Sequence, residues 1–140
     1  MRLCTRARYG ARAMLDLAIH YQSGPIAISE VARRQEIPKD YLENVMVPLR
    51  LSGLVRAERG SRGGYVLTRA PAQITLGEIV RILEGSLAPV PCLEDPTACN
   101  RVSFCVLQTV YAKAQKAMTD VLEAATLADL VTMQFQKGSR

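Results

Sequence analysis

Helical spacing of apolar residues runs through this chain with one interruption, and that interruption restricts the fold more than any other feature. Leu54-Val-Arg-Ala-Glu58 and Tyr65-Val-Leu-Thr68 read as two short strands. Arg59-Gly-Ser-Arg-Gly-Gly64 joins them as a glycine-rich, doubly basic turn. Two short helices around a tight turn come just before. Ile28-Ser-Glu-Val-Ala-Arg-Arg-Gln-Glu-Ile37 supplies the first, with Ser29 as its expected cap and Val31 and Ala32 facing inward. The second begins near Pro38, carries Tyr41, Leu42, Val45, Met46, Leu49 and Leu51, and stops at Ser52-Gly53. A helix-turn-helix followed at once by such a hairpin is a winged helix, and the order is far more specific than either piece. The expected class is mainly α with a small β-hairpin: a winged helix-turn-helix plus a long C-terminal dimerisation helix.

The flanking segments are helical. Tyr9, Ala13, Met14, Leu17, Ala18 and Tyr21 mark one face of a helix from Thr5, its expected cap, to about Gln22. Thr75-Leu-Gly-Glu78 is a capping box with an Ile74–Ile79 staple, and its helix runs to about Glu84, where Gly85 can end it. A proline-bearing loop follows, then a long helix after Cys105. Its stripe of Val106, Leu107, Val110, Tyr111, Ala114, Ala117, Met118, Val121 and Leu122 is too wide for one face of so small a domain. Part of it is expected to cross the same helix of a second chain, giving a homodimer. Thr126 is the expected cap of a last short helix, and the tail 137–140 is expected to be disordered. Pro48 lies inside the second helix of the pair, at a cost of roughly 3 kcal/mol, so a kink or tightened turn is expected near Asn44–Pro48. The division is 1–85 winged-helix DNA-binding domain, 86–105 cysteine loop and 106–135 dimerisation helix with a short C-terminal helix.

Composition supports a helical core. Tryptophan is absent and phenylalanine occurs twice, so Leu, Val, Ile, Ala and Met must fill the interior. No apolar run approaches a membrane span, and Met1-Arg-Leu-Cys-Thr-Arg-Ala-Arg8 lacks the apolar stretch of a secretory signal. A cytoplasmic protein without membrane attachment is expected. The net charge of +5 is uneven: residues 1–69 carry +6 and residues 70–140 carry −1. A basic N-terminal half suits a phosphate-backbone binder, and charge alone leaves a solvated basic surface equally open.

Cys92, Cys99 and Cys105 fall within fourteen residues. Thiolates so concentrated in a reducing compartment point to an iron–sulfur cluster or, second, zinc. Cys105 stands at the start of a helix, where the dipole favours an anionic ligand. Three free thiols remain the simpler alternative. His20, the single histidine, is far from this loop in sequence and is not expected to ligate, which weakens a zinc site.

Met1-Arg-Leu, Arg8-Tyr9, Ala13-Met-Leu-Asp16, Tyr41-Leu-Glu43, Leu49-Arg50, Gly53-Leu-Val55, Arg59-Gly60 and Gly63-Gly-Tyr65 together resemble the iron–sulfur cluster regulator family of bacterial winged-helix repressors. That family includes nitric-oxide sensors and a regulator of cysteine metabolism. The resemblance spans about residues 1–130. It implies a homodimer, binding to a double-stranded DNA operator through the winged helix and, in many members, an iron–sulfur cluster in the cysteine loop. A 2Fe–2S cluster is the first choice and 4Fe–4S the second; the spacing does not separate them.

The N-terminal residues of the second helix enter the major groove in this motif. Here they are Lys39, Asp40, Tyr41 and Glu43, and the resemblance makes Glu43 a specificity residue. Arg59, Gly60 and Arg62 form the wing tip, where an arginine suits the narrow minor groove; the resemblance gives that part to Arg59. Ser29, Arg33, Arg34 and Arg50 are expected phosphate contacts. The family's histidine, three positions after the third cysteine, is Gln108 here, and the position of an aspartate used by some members is Arg8. The fourth ligand is therefore open between Gln108, Cys4 and another group. A cluster-free repressor acting by thiol oxidation or a partner protein is the nearest alternative. An electron carrier or enzyme leaves the basic half unexplained, and no catalytic constellation is visible.

Overall fold

A computed structural model describes residues 1–138; Ser139 and Arg140, part of the tail expected to be disordered, lie outside the described residues. Helix α1 (Thr5–Ile19) buries Ala7, Gly10, Ala13, Met14, Leu17 and Ala18 along one stripe. Its cap is Cys4 rather than Thr5: the Cys4 Sγ accepts from the Ala7 N–H at 3.4 Å. The helix ends at Ile19, short of Gln22. A Cβ on Gly10 would stand 2.1 Å from Leu83 Cδ1, so only glycine lets α1 approach α4 this closely.

Helices α2 (Ile28–Gln35) and α3 (Lys39–Leu51) form the helix-turn-helix. Ala27 occupies the capping position of α2 and offers no side-chain bond, so Ser29 lies inside the first turn rather than capping it. Glu36 takes the left-handed conformation (φ 55°) that the tight turn requires. Pro38 is the residue before α3. Pro48 does not end α3: it sits in the last turn, and its carbonyl accepts from the Ser52 N–H at 3.0 Å and from the Ser52 hydroxyl at 2.8 Å. Leu42, Val45, Met46 and Leu49 are buried. Leu51, two residues beyond Leu49, falls on the opposite face and is 77% exposed.

Strands β1 (Val55–Glu58) and β2 (Gly64–Leu67) pair antiparallel from Val55–Leu67 to Glu58–Gly64. Ile26 joins the edge of β2 as an isolated bridge to Tyr65, with N–H···O distances of 3.0 and 2.8 Å in the two directions. A Cβ on Gly64 would lie 2.3 Å from the Ile26 carbonyl, so this glycine admits the third segment.

Helix α4 (Leu76–Glu84) opens with the Thr75–Glu78 capping box, with Ile74 and Ile79 fully buried beside it, and ends at Gly85 (φ 81°). Helix α5 (Val106–Ala124) has Cys105 at its capping position. Helix α6 (Leu127–Lys137) starts from a Thr126–Asp129 capping box. The core gathers around α1, which packs on α2, α3, α4 and α6. Helix α5 runs along α4 and buries none of its own residues.

Candidate nucleic-acid interface and cysteine loop

The buried stripe of α3 turns the other face outward. Lys39, Asp40, Tyr41, Glu43 and Arg50 are all exposed. Lys39 and Glu43 form an ion pair of 3.9 Å, which solvent weakens and a nucleic acid can displace. The Tyr41 ring meets Tyr9 of α1 edge-on at 5.7 Å between centroids, and the Arg12 guanidinium lies 5.1 Å from the Tyr9 ring centre. Tyr9 thus orients a residue at the head of α3, a role that sequence spacing did not reveal.

At the wing tip, Arg59, Gly60 and Arg62 are exposed. Gly60 adopts φ 114°, and its carbonyl accepts from Gly63 N–H at 3.0 Å to close the turn. Neither arginine has an ion-pair partner among the described residues. Ser29 is exposed in the first turn of α2.

Arg34 departs from the expectation of a phosphate contact. It forks onto Asp16 with bonds of 2.9 and 2.7 Å, and Gln35 adds a third at 3.1 Å. Asp16 is 2% exposed, so this carboxylate is a buried anion neutralised across 18 residues of sequence. The hydrogen bonds to Asp16 push the Arg34 pKa up. Arg34 therefore fastens α2 to α1. Arg33 pairs with Glu30 at 2.9 Å on the surface and stays accessible.

The cysteine loop is built differently. A short 3-10 turn, Pro91–Leu93, contains half-buried Cys92; Cys99 is exposed; Cys105 is half-buried at the head of α5. Gln108 donates from Nε2 to the Cys92 carbonyl at 3.0 Å, tying the first turn of α5 back to the loop. The Thr97 hydroxyl and amide, at 2.6 and 2.9 Å, hold the Asp95 carboxyl below its ordinary pKa. Among the described residues, no group of three His, Cys, Asp or Glu side chains stands together to hold a metal ion. The donor set itself suits a cluster: three soft thiols, none fully buried, flanking a helix N-terminus. Cys4 is engaged at the α1–α4 junction, where its N–H donates to Glu84 Oε2 at 2.9 Å. That bond, and then the Cys4 thiol, hold the Glu84 carboxyl below its ordinary pKa. His20 lies against Asp16, with Nδ1 2.9 Å from the Asp16 carbonyl.

Residues 3–133 match the family model of Rrf2, described as an iron-dependent transcriptional regulator. The chain belongs to the Rrf2 family. Protein rrf2 of Nitratidesulfovibrio vulgaris is 40% identical over 131 residues, 94% of this chain and 87% of that protein. Among solved structures, IscR of T. potens superposes with a TM-score of 0.82 at 36% identity, covering 100% of this chain and 93% of the other. CymR, the global cysteine regulator of B. subtilis, gives 0.80 at 35% identity, covering 95% and 98%. This Rrf2 chain is a winged-helix DNA-binding regulator of transcription. No helix among the described residues is long and apolar enough to cross a membrane.

Proposed function

We propose that this Rrf2 protein is a homodimeric repressor that senses iron–sulfur, redox or nitric-oxide status through a cluster held by Cys92, Cys99 and Cys105. The observation that carries this reading is the cysteine loop. Three thiols lead directly into α5, and Gln108 bonds the loop to the head of that helix. When bound, a cluster supplies oxidant-sensitive iron at this loop. The chain's own residues do the rest. Lys39, Asp40, Tyr41 and Glu43 address the major groove, Arg59, Gly60 and Arg62 the minor groove, and Ser29 and Arg50 the phosphates. The exposed apolar residues Val106, Leu107, Val110, Tyr111 and Val121 of α5 meet the same helix of a second copy. Gln108 serves this reading as a support for the loop. Its Nε2 is committed to the Cys92 carbonyl, leaving the amide oxygen as the only ligating atom it could offer.

A second reading uses the same residues without metal. Cys99 is an exposed free thiol, which suits a repressor switched by thiol oxidation or by a partner protein. Anaerobic purification with an absorption spectrum and counts of iron, acid-labile sulfide and zinc separates the two. Matched iron and sulfide, lost in Cys92→Ser, Cys99→Ser or Cys105→Ser, supports the cluster. A colourless protein that also fails reconstitution removes it. Zinc in place of iron makes the loop a structural site.

A further inference from the structure

The longest helix of the chain is attached to the DNA-reading body by few groups. Helix α5 buries no residue; Gln108 and Gln115 are half-covered nearer its start, and Met118, Thr119, Leu122 and Glu123 are half-covered in its C-terminal half. One polar side chain dominates that contact. The Glu123 carboxylate accepts from the Thr75 hydroxyl at 2.9 Å through one oxygen and from the Arg81 guanidinium through the other. The Thr75 hydroxyl in turn accepts from the Glu78 N–H at 3.1 Å, so one hydroxyl both caps α4 and anchors α5. Gly77 leaves room for this: a Cβ there would lie 2.6 Å from the Glu123 carboxyl carbon. The corner beyond is locked by backbone, with Leu76 N–H on the Ala125 carbonyl at 2.8 Å and Leu127 N–H on the Ile74 carbonyl at 2.9 Å.

From α4 the contacts continue to the wing. The Glu78 carboxylate takes Arg69 at 2.6 Å, and Arg69 also donates to the Gln73 carbonyl at 2.8 Å. Arg69 follows the end of β2 by two residues. Glu123, Thr75, Glu78 and Arg69 therefore make an unbroken polar path from α5 to the base of the wing.

We infer that Glu123 is a positioning residue that fixes α5 against the winged helix and thereby sets the separation of DNA half-sites the dimer accepts. This rests on the homodimer reading above. Side chains of Glu123 and Arg81 are 32% and 56% exposed, so their ion pair adds little to stability, and its consequence is geometric. In a dimer joined through α5, the angle between α5 and α4 determines how far apart the two copies of α3 stand. A dimer built this way reads half-sites at one spacing, and a looser joint tolerates several.

The test uses the full-length protein and a palindromic duplex selected from a randomised pool by the wild type. Versions of that duplex with one or two base pairs added or removed between half-sites are then titrated. Wild type loses affinity on the order of tenfold or more for altered spacing, since either the DNA or the dimer must deform. Glu123→Ala is expected to shrink that penalty to about threefold or less, while its affinity for an unrelated duplex stays unchanged. Glu123→Gln, which keeps an acceptor for Thr75 but loses the charge facing Arg81, falls between. Gly77→Ala, which displaces the carboxylate without removing it, flattens the spacing profile as well and guards against misfolding of the first variant. A merely structural role would lower stability and leave the profile intact, and an intact profile in all three variants overturns the inference. Sedimentation of the protein–DNA complexes distinguishes the two levels: a monomer on DNA overturns the dimer reading and this inference with it, whereas a dimer with the wild-type profile overturns this inference alone.

Discussion

The winged-helix body and the segment from Ser86 through α5 are made from similar side chains and put to opposite ends. In the body, Met14, Leu42, Met46, Leu49, Ile79 and Leu83 are fully enclosed, and even a charge, Asp16, is buried and matched. In α5, Val106, Leu107, Val110 and Val121 are as apolar and lie open to solvent. Composition alone would have assigned both to a core. The difference teaches that apolar spacing identifies a helix face that must be covered without saying whether this chain or another covers it. It also separates two kinds of stability: the body's resides in one chain, while α5 packs on the body along α4 and leaves the rest of its apolar face for the second copy proposed above.

Substitutions that sharpen this contrast fall in a clear order. Arg34→Ala removes the forked partner of a buried carboxylate and should lower folding stability by about 3–5 kcal/mol in urea titrations. Were Arg34 chiefly a phosphate contact, stability would be unchanged and only DNA affinity would fall. Val110→Lys places a charge on the open face of α5. It should leave the unfolding midpoint of dilute protein nearly unaltered, yet halve the sedimenting mass and weaken operator binding on the order of 100-fold through lost bivalency. A strong drop in the midpoint with the mass unchanged would instead mean that this face packs within one chain. Arg59→Ala at the exposed wing tip should cost about tenfold in operator affinity and lower the salt dependence of binding by about one counterion. Thr126→Ala deletes the hydroxyl that caps α6 and should cost about 1 kcal/mol of stability without altering the salt dependence.

The parts of the fold visible in the sequence are those set by neighbours in the chain. The hairpin between Leu54 and Thr68, the capping box at Thr75, the cap at Thr126 and the stop at Gly85 each depend on residues within a few positions of one another. What stayed hidden depends on contacts across the fold. The pairing of Asp16 with Arg34 is one of these, since the packing of α2 on α1 alone brings the two together. Cys4 replaced Thr5 as the cap because the α1–α4 junction, through Glu84, fixes its backbone. Leu51, counted among the apolar residues of the second helix, is exposed because it lies off the stripe that ends at Leu49. For the candidate site, residue types and exposure were legible at α3, the wing and the cysteine loop. The support of Tyr41 by Tyr9 and of Cys92 by Gln108 was not, since neither pair lies at a spacing that any helix or strand makes regular.

The Ile26–Tyr65 bridge bears on how the wing responds to heat and solvent. A lone two-strand ribbon frays independently of the domain that carries it. Here β2 is stitched on its other edge to the residues that lead into α2. The amide hydrogens of Ile26 and Tyr65 should therefore exchange with deuterium only when the domain as a whole opens, while those of residues 59–63 exchange quickly. The wing is then a rigid blade with a soft tip: the arginines can adapt to a groove while its root keeps the bearing of α2.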